Sequence, residues 1–299
     1  TKVREGQGKK TAKPIRMKYT VPLKLGINES ELNSIDSIAL QGLKEGIFPG
    51  CQILVAKDGK VFYHKSFGKH TYADSSKTVE NTDIYDLASI TKIASSTASL
   101  MKLQSEKRIN VDSTLGTYMS DKVDTTDYKN IKLKEMLTHQ AGFKAWIPFY
   151  IRTLHKGQPK IELYSIHQSD YFDSRVAEDL YIHSGIRDSI FNRIITSEVS
   201  SKKKYLYSDL GYYFVNEIIQ RKTKMTQDEY VDQNFYKPLG LDNIGYKPRD
   251  KWDISRIPPT EEDKSFRHQT IHADVHDQGA AMLGGVCGHA GLFANTNDL

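Results

Sequence analysis

The stretch "YDLASITKIASS", beginning at Tyr85, sets Ser89 and Lys92 three residues apart. A serine hydroxyl attacks a carbonyl once a base removes its proton, and a lysine is such a base only when burial or a nearby positive charge strips its own. On a helix the two side chains share a face, with Cβ atoms about 5–6 Å apart. If Ser89 opens the helix, unpaired N–H groups and the positive dipole end favour an alkoxide or an acyl oxyanion there. Spacing alone does not single out this pair, since Ser-x-x-Lys starts at Ser66, Ser89, Ser99, Ser200 and Ser201. On local features alone, an N-capping serine beside a surface lysine is the stronger reading.

The elements that would carry these residues separate the five. "NESELNSIDSIALQGLKEG" has a polar start, helical apolar spacing and a closing glycine, which predicts a helix over about Glu29 to Lys44. In "CQILVAKDGKVFYHKSFG" two β-rich runs flank Asp58-Gly59, so Gln52–Ala56 and Val61–Phe67 are expected as adjacent antiparallel strands. Ser66 and Lys69 then leave the second strand, where a period of two does not set them side by side. From Ser89 to Lys107 no Gly or Pro intervenes, so one helix beginning at Ser89 is expected, with Ser99 in its middle. Ser200 and Ser201 belong to the basic loop "SSKKKY". "LKEMLTHQAG" predicts a helix stopped by Gly142, "DSIFNRIITSEV" a helical piece, and "YSDLGYYFVNEIIQRK" a helix from Tyr207. Helix, hairpin and then a long helical region suggest an α+β domain with a helical insertion.

Composition narrows the function classes. The chain has 299 residues and a formal charge of +5. Seven Lys/Arg and one acid fall within residues 1–19, so the basicity belongs to a tail and the remainder is near neutral. Residues 1–25 read as a basic linker and 26–299 as the domain, with a helical subdomain over about 110–250. A nucleic-acid partner would rest on the tail alone and is not expected. No apolar run reaches the length of a membrane span, and no signal peptide is visible, although the chain starts at Thr1. Cys51 and Cys287 are the only cysteines and lack a ligand spacing, so neither a metal nor a cofactor is expected. They could form one disulfide, but two buried free thiols fit at least as well. His272, His276 and Asp277 in "FRHQTIHADVHDQGA" are expected as loop residues lining a cleft rather than a metal cluster.

Six segments in order carry a family resemblance. "PGCQILVAKDGKVFYHKSFG", "YDLASITKIAS", "MLTHQAGF", "YSDLGYYFVNEII", "PLGLDNIGY" and "GGVCGHAGLFANTNDL" together resemble the serine β-lactamase and penicillin-binding-protein family. The likeness is to class C-like hydrolases and esterases, including those attached to a glycoside hydrolase family 3 domain. It implies a β-lactamase/transpeptidase-like antiparallel sheet flanked by helices, with the C-terminal strands and third motif lying beyond Leu299. It implies Ser89 as acyl-accepting nucleophile, Lys92 as its activating partner and Tyr207 as the proton-exchanging tyrosine. It also implies a periplasmic or cell-envelope setting, a cell-wall peptide, β-lactam or ester substrate, and a possible linked glycoside hydrolase partner.

Two departures from the family pattern matter. Where its second motif reads Tyr-x-Asn, this chain has Tyr207-Ser208-Asp209. Ionised aspartate only accepts hydrogen bonds, and beside Lys92 it would favour the protonated amine. Asp209 is expected to contact substrate, the alternative being that it turns away and caps the next helix. His289-Ala290-Gly291 superficially fits the family's third motif, but its neighbours place it in a Gly-rich turn at the edge of the site, with His289 against substrate. A catalytically weak or silent module that binds muropeptide or a partner domain is the competing class.

Overall fold

The computed structural model describes residues 16–299. The basic segment 1–15 lies outside the described residues. Residues 16–25, expected as the rest of a tail, join the domain: β1 (Lys18–Tyr19) runs parallel to β3 (Lys60–Gly68), which pairs antiparallel with β2 (Gly50–Lys57). The β2–β3 turn is made by Asp58 and Gly59 at φ 50° and 69°, the two left-handed values that a two-residue type I′ hairpin requires. α1 (Glu29–Lys44) has the predicted bounds. Asn28 caps it by accepting the Ser30 N–H at 3.1 Å, and Lys44 closes it at the negative dipole end. This helix packs on β3, where Asp36 accepts from Lys65 at 2.7 Å and from the Tyr63 hydroxyl.

The segment expected as one helix from Ser89 is instead three pieces. A 3-10 turn over Ala88–Ile90 leads into a π-helical stretch, Lys92–Thr97, and only then into α2 (Ala98–Ser105). Side chains compete with the backbone ladder here. Thr97 Oγ1 donates to the Lys92 carbonyl at 2.7 Å, and Ser99 Oγ to the Ser95 carbonyl at 2.7 Å.

Beyond it lie α3 (Leu115–Val123), α4 (Leu133–Leu137), α5 (Ile186–Ile195), α6 (Leu210–Thr223) and α7 (Gln227–Val231). α4 stops five residues before Gly142, because Thr138 bonds back to the Lys134 carbonyl and His139 turns left-handed at φ 56°. Gly142 serves a later purpose. Its φ is +80°, and an added Cβ would stand 2.3 Å from the Ser200 carbonyl oxygen. α6 is buried without a break from Leu210 to Asn216, as a helix apolar on every side must be. Around it Tyr128 stacks on Phe143 with centroids 5.0 Å apart, and Phe191 meets Phe214 edge-on at 5.8 Å. Each such ring contributes about 1.5–3 kcal/mol by leaving water.

A second small sheet positions the site. β4 (Tyr85–Asp86) pairs antiparallel with Phe293–Ala294, which pairs in turn with Ile244–Gly245. This ties the residues just before Ser89 to the far end of the described chain. Cys51 and Cys287 are both free thiols.

Candidate active site

The turn that presents Ser89 is held in an unusual shape. Ala88 has φ 44°, a left-handed value that costs an alanine about 1–2 kcal/mol. The Asp86 carboxylate supports it, accepting the Ala88 N–H at 2.7 Å through one oxygen and the His276 N–H at 2.8 Å through the other. Burial pushes the Asp86 carboxyl up, and these two N–H groups oppose that rise. Leu292 clamps the turn from both sides: its carbonyl takes the Leu87 N–H at 2.9 Å, and its own N–H goes to Thr91 Oγ1 at 3.1 Å. The result leaves Ser89 exposed.

Lys92 is only 3 % exposed. Its Nζ donates to Ser89 Oγ at 2.8 Å, lies 2.6 Å from Asp209 Oδ1, and reaches the His289 carbonyl at 3.5 Å. The Tyr207 and Tyr212 rings flank it, with centroids at 4.8 and 5.5 Å. Burial works to lower the Lys92 pKa, but Asp209 and Tyr207 outweigh it and the net shift is upward. Pairing with the Asp209 carboxylate thus favours the ammonium form, which donates to the serine oxygen.

Asp209 precedes α6 yet makes no side-chain cap. Ser208 takes that task, accepting the Leu210 N–H at 3.2 Å and donating to the Lys144 carbonyl at 2.6 Å. The Asp209 N–H goes to the Ala145 carbonyl at 3.1 Å. With its backbone fixed and its cap supplied by a neighbour, the Asp209 carboxylate turns to Lys92.

Tyr207 is partly exposed, and its ring lies 4.4 Å from that of His139. His139 Nδ1 accepts the Ser208 N–H at 3.1 Å, a role that needs the neutral ring. Burial, helped by the Lys92 charge, lowers the His139 pKa in that direction.

His289 is a correction. Its side chain is 2 % exposed, stacked under Tyr213 at 4.6 Å, with Nε2 on Asp277 at 2.8 Å. It meets the site through its carbonyl alone, so the expected substrate contact is closed off by burial. Asp277 also caps Gln278–Ala281 by accepting the Ala280 N–H. His272 bonds the Ile257 carbonyl at 2.6 Å, and His276 sits 3.3 Å from Glu261.

Sequence reasoning missed Asp86, His139 and a buried network behind Lys92. Gln227 Nε2 lies within 2.7–3.1 Å of Ser95, Ser96 and Tyr246, while Ser96 Oγ donates to the Gly288 carbonyl at 2.7 Å. A Cβ on Gly288 would stand 2.2 Å from the Tyr212 carbonyl oxygen, so only glycine lets this segment pass so close to α6. Asp86, two residues before Ala88, had a readable signal in the Asx-turn habit of aspartate. The Gln227 network had none, since its members are far apart in sequence. A cavity of about 680 Å³, lined among others by Arg175, Lys247, Arg249 and Asp274, includes neither Ser89 nor Lys92.

Residues 35–299 match the model of the family described as Beta-lactamase. The chain belongs to the Beta-lactamase family. A protein of Escherichia coli O157:H7 named "Putative D-alanyl-D-alanine carboxypeptidase" is 30 % identical over 93 % of this chain and 64 % of its own length. The chain thus spans less than two thirds of the length of the curated relatives it matches. Among solved structures, a class C β-lactamase superposes with TM-score 0.63 at 14 % identity, over 91 % of this chain and 64 % of that one. A β-lactamase/D-alanine carboxypeptidase from Pseudomonas syringae gives TM-score 0.61 at 15 % identity, over 90 % and 63 %. At such identities these two establish the fold, which is that of the β-lactamases and transpeptidases. No helix among the described residues is long and apolar enough to cross a membrane.

Proposed function

We propose that this Beta-lactamase family member is a serine acyl hydrolase or acyltransferase, with a cell-wall-type peptide, a β-lactam or an ester as substrate. The observation that carries the reading is the 2.8 Å contact between the buried Lys92 amine and the exposed Ser89 hydroxyl on a strained turn. In this reading Ser89 Oγ attacks the substrate carbonyl, the leaving group departs, and water or an amine releases the acyl-enzyme. Lys92 moves the proton, Tyr207 flanks the reacting oxygen and exchanges protons with the leaving group, and the Ser89 N–H is one donor to the oxyanion. The carboxypeptidase name of its relatives favours a peptide acyl donor and a periplasmic or cell-envelope location. A linked glycoside hydrolase remains a proposed partner on sequence resemblance alone.

One observation favours a second reading, a silent module that binds muropeptide or a partner domain: the Asp209 carboxylate stands 2.6 Å from the Lys92 amine, which opposes its acting as a free base. Intact-mass spectrometry with a fluorophosphonate separates the two. One adduct on the wild type and none on Ser89→Ala is the expected result. A wild type that stays unlabelled while correctly folded would sink the enzyme reading in favour of the module.

A further inference from the structure

An ammonium cannot accept the serine proton unless it first gives one away, and the geometry contains a receiver. Lys92 Nζ sits between Ser89 Oγ at 2.8 Å and Asp209 Oδ1 at 2.6 Å. The other groups facing it are poor receivers. His139, from the loop after α4, has its Nδ1 engaged by the Ser208 N–H, and His289 offers only a carbonyl at 3.5 Å. Tyr207, before α6, and Tyr212, within it, face it with their rings. Asp209 is the carboxylate paired with Lys92, and its side chain caps nothing.

We propose that Asp209 is a positioning residue that acts through Lys92 as the terminal proton acceptor for Ser89. The inference rests on the reading above that Ser89 is acylated. As Ser89 Oγ bonds the acyl carbon, the carbonyl π pair moves onto its oxygen to form the oxyanion. The Ser89 proton passes to Lys92 Nζ while a Lys92 proton passes to Asp209 Oδ1, so the amine is charged before and after. When the tetrahedral species collapses and the bond to the leaving group breaks, the proton on Asp209 returns to Lys92, a Lys92 proton passes to the Tyr207 hydroxyl, and that hydroxyl gives its own proton to the leaving group. An asparagine at 209 cannot take this proton, so the aspartate has a chemical consequence beyond its charge.

The rate of fluorophosphonate labelling between pH 5 and 10 tests this. The wild type should label at a rate that does not climb across this range, since its amine is charged before and after the step. Asp209→Asn should fall by about 10²-fold at neutral pH and recover only in alkali, where Lys92 becomes a free amine. Asp209→Glu should keep the flat profile of the wild type, and it carries the test if the asparagine variant does not fold. A labelled wild type with an unchanged Asp209→Asn profile, or an alkaline limb in Asp209→Glu, overturns the relay while leaving the acyl-enzyme reading intact. An unlabelled wild type overturns both.

Discussion

Two buried ion pairs in this molecule are built to opposite ends. Arg267 and Asp263 are sealed, with side chains 0 % and 1 % exposed. Arg267 donates to Asp263 at 2.8 Å, Glu261 at 3.0 Å, and the Val275 and His276 carbonyls at 2.7 and 2.8 Å. Asp263 also accepts the N–H groups of Ser265, Phe266 and Arg267. Lys92 and Asp209 share one short contact, and the remaining partners of the amine are a distant carbonyl and an exposed hydroxyl. A buried pair offsets its desolvation only when its other donors and acceptors are satisfied. The first pair meets that condition and fixes His276, whose N–H holds Asp86 beneath the Ser89 turn. The second leaves its spare capacity pointed at the serine.

Breaking each pair should expose this difference. Asp263→Ala takes from the sealed guanidinium its buried partner, leaving only the partly exposed Glu261, and is expected to cost about 3 kcal/mol, read by chemical denaturation. Burial works to raise the Asp263 carboxyl, but Arg267 and three backbone N–H groups hold it down at about 2. A depressed carboxylate stabilises above its unfolded value, so the wild type should lose this contribution as pH falls from about 4 through about 2. The variant should lack that acid-dependent loss, and equal acid sensitivity in both would contradict the assignment. Lys92→Met should cost less stability, because Asp209 stays 21 % exposed and within reach of water, while labelling slows by about 10²–10⁴-fold. A stability loss as large as that of Asp263→Ala would erase the contrast. The smallest effect is expected at the exposed Lys129–Asp124 pair, 3.2 Å apart, where Lys129→Ala should change stability by less than about 1 kcal/mol.

Much of the scaffold was legible residue by residue. Asp58-Gly59 specified its hairpin because few other residues tolerate two consecutive left-handed conformations. α1 followed from a polar start, apolar spacing and a closing glycine, and the structure adds Asn28 as its cap. Ser89 and Lys92 stood out through order and context, and the structure brings them together with Tyr207 and Asp209. Local signals failed where side chains override the backbone. Serines and threonines converted the expected helix after Ser89 into a π-helical stretch, and a left-handed His139 ended α4 early. His289 was misread because a Gly-rich turn looks the same from sequence whether its polar side chain faces a cleft or an interior Asp277. Asp209 turned on a detail of the same kind. Ser208 supplies the cap, which frees its neighbour for Lys92, and propensity rules alone do not say which of two adjacent cap-formers will serve.

The clasp between Leu292 and the Ser89 turn has a consequence for how the protein is made. Its bond to Thr91 joins residues 201 positions apart, and the Ser96–Gly288 bond joins residues 192 apart. Closing loops of that length is entropically late and slow. A nascent chain emerging from the ribosome therefore carries its serine long before that serine has walls. The turn that presents Ser89 takes its final shape only after residues 288–292 have been made.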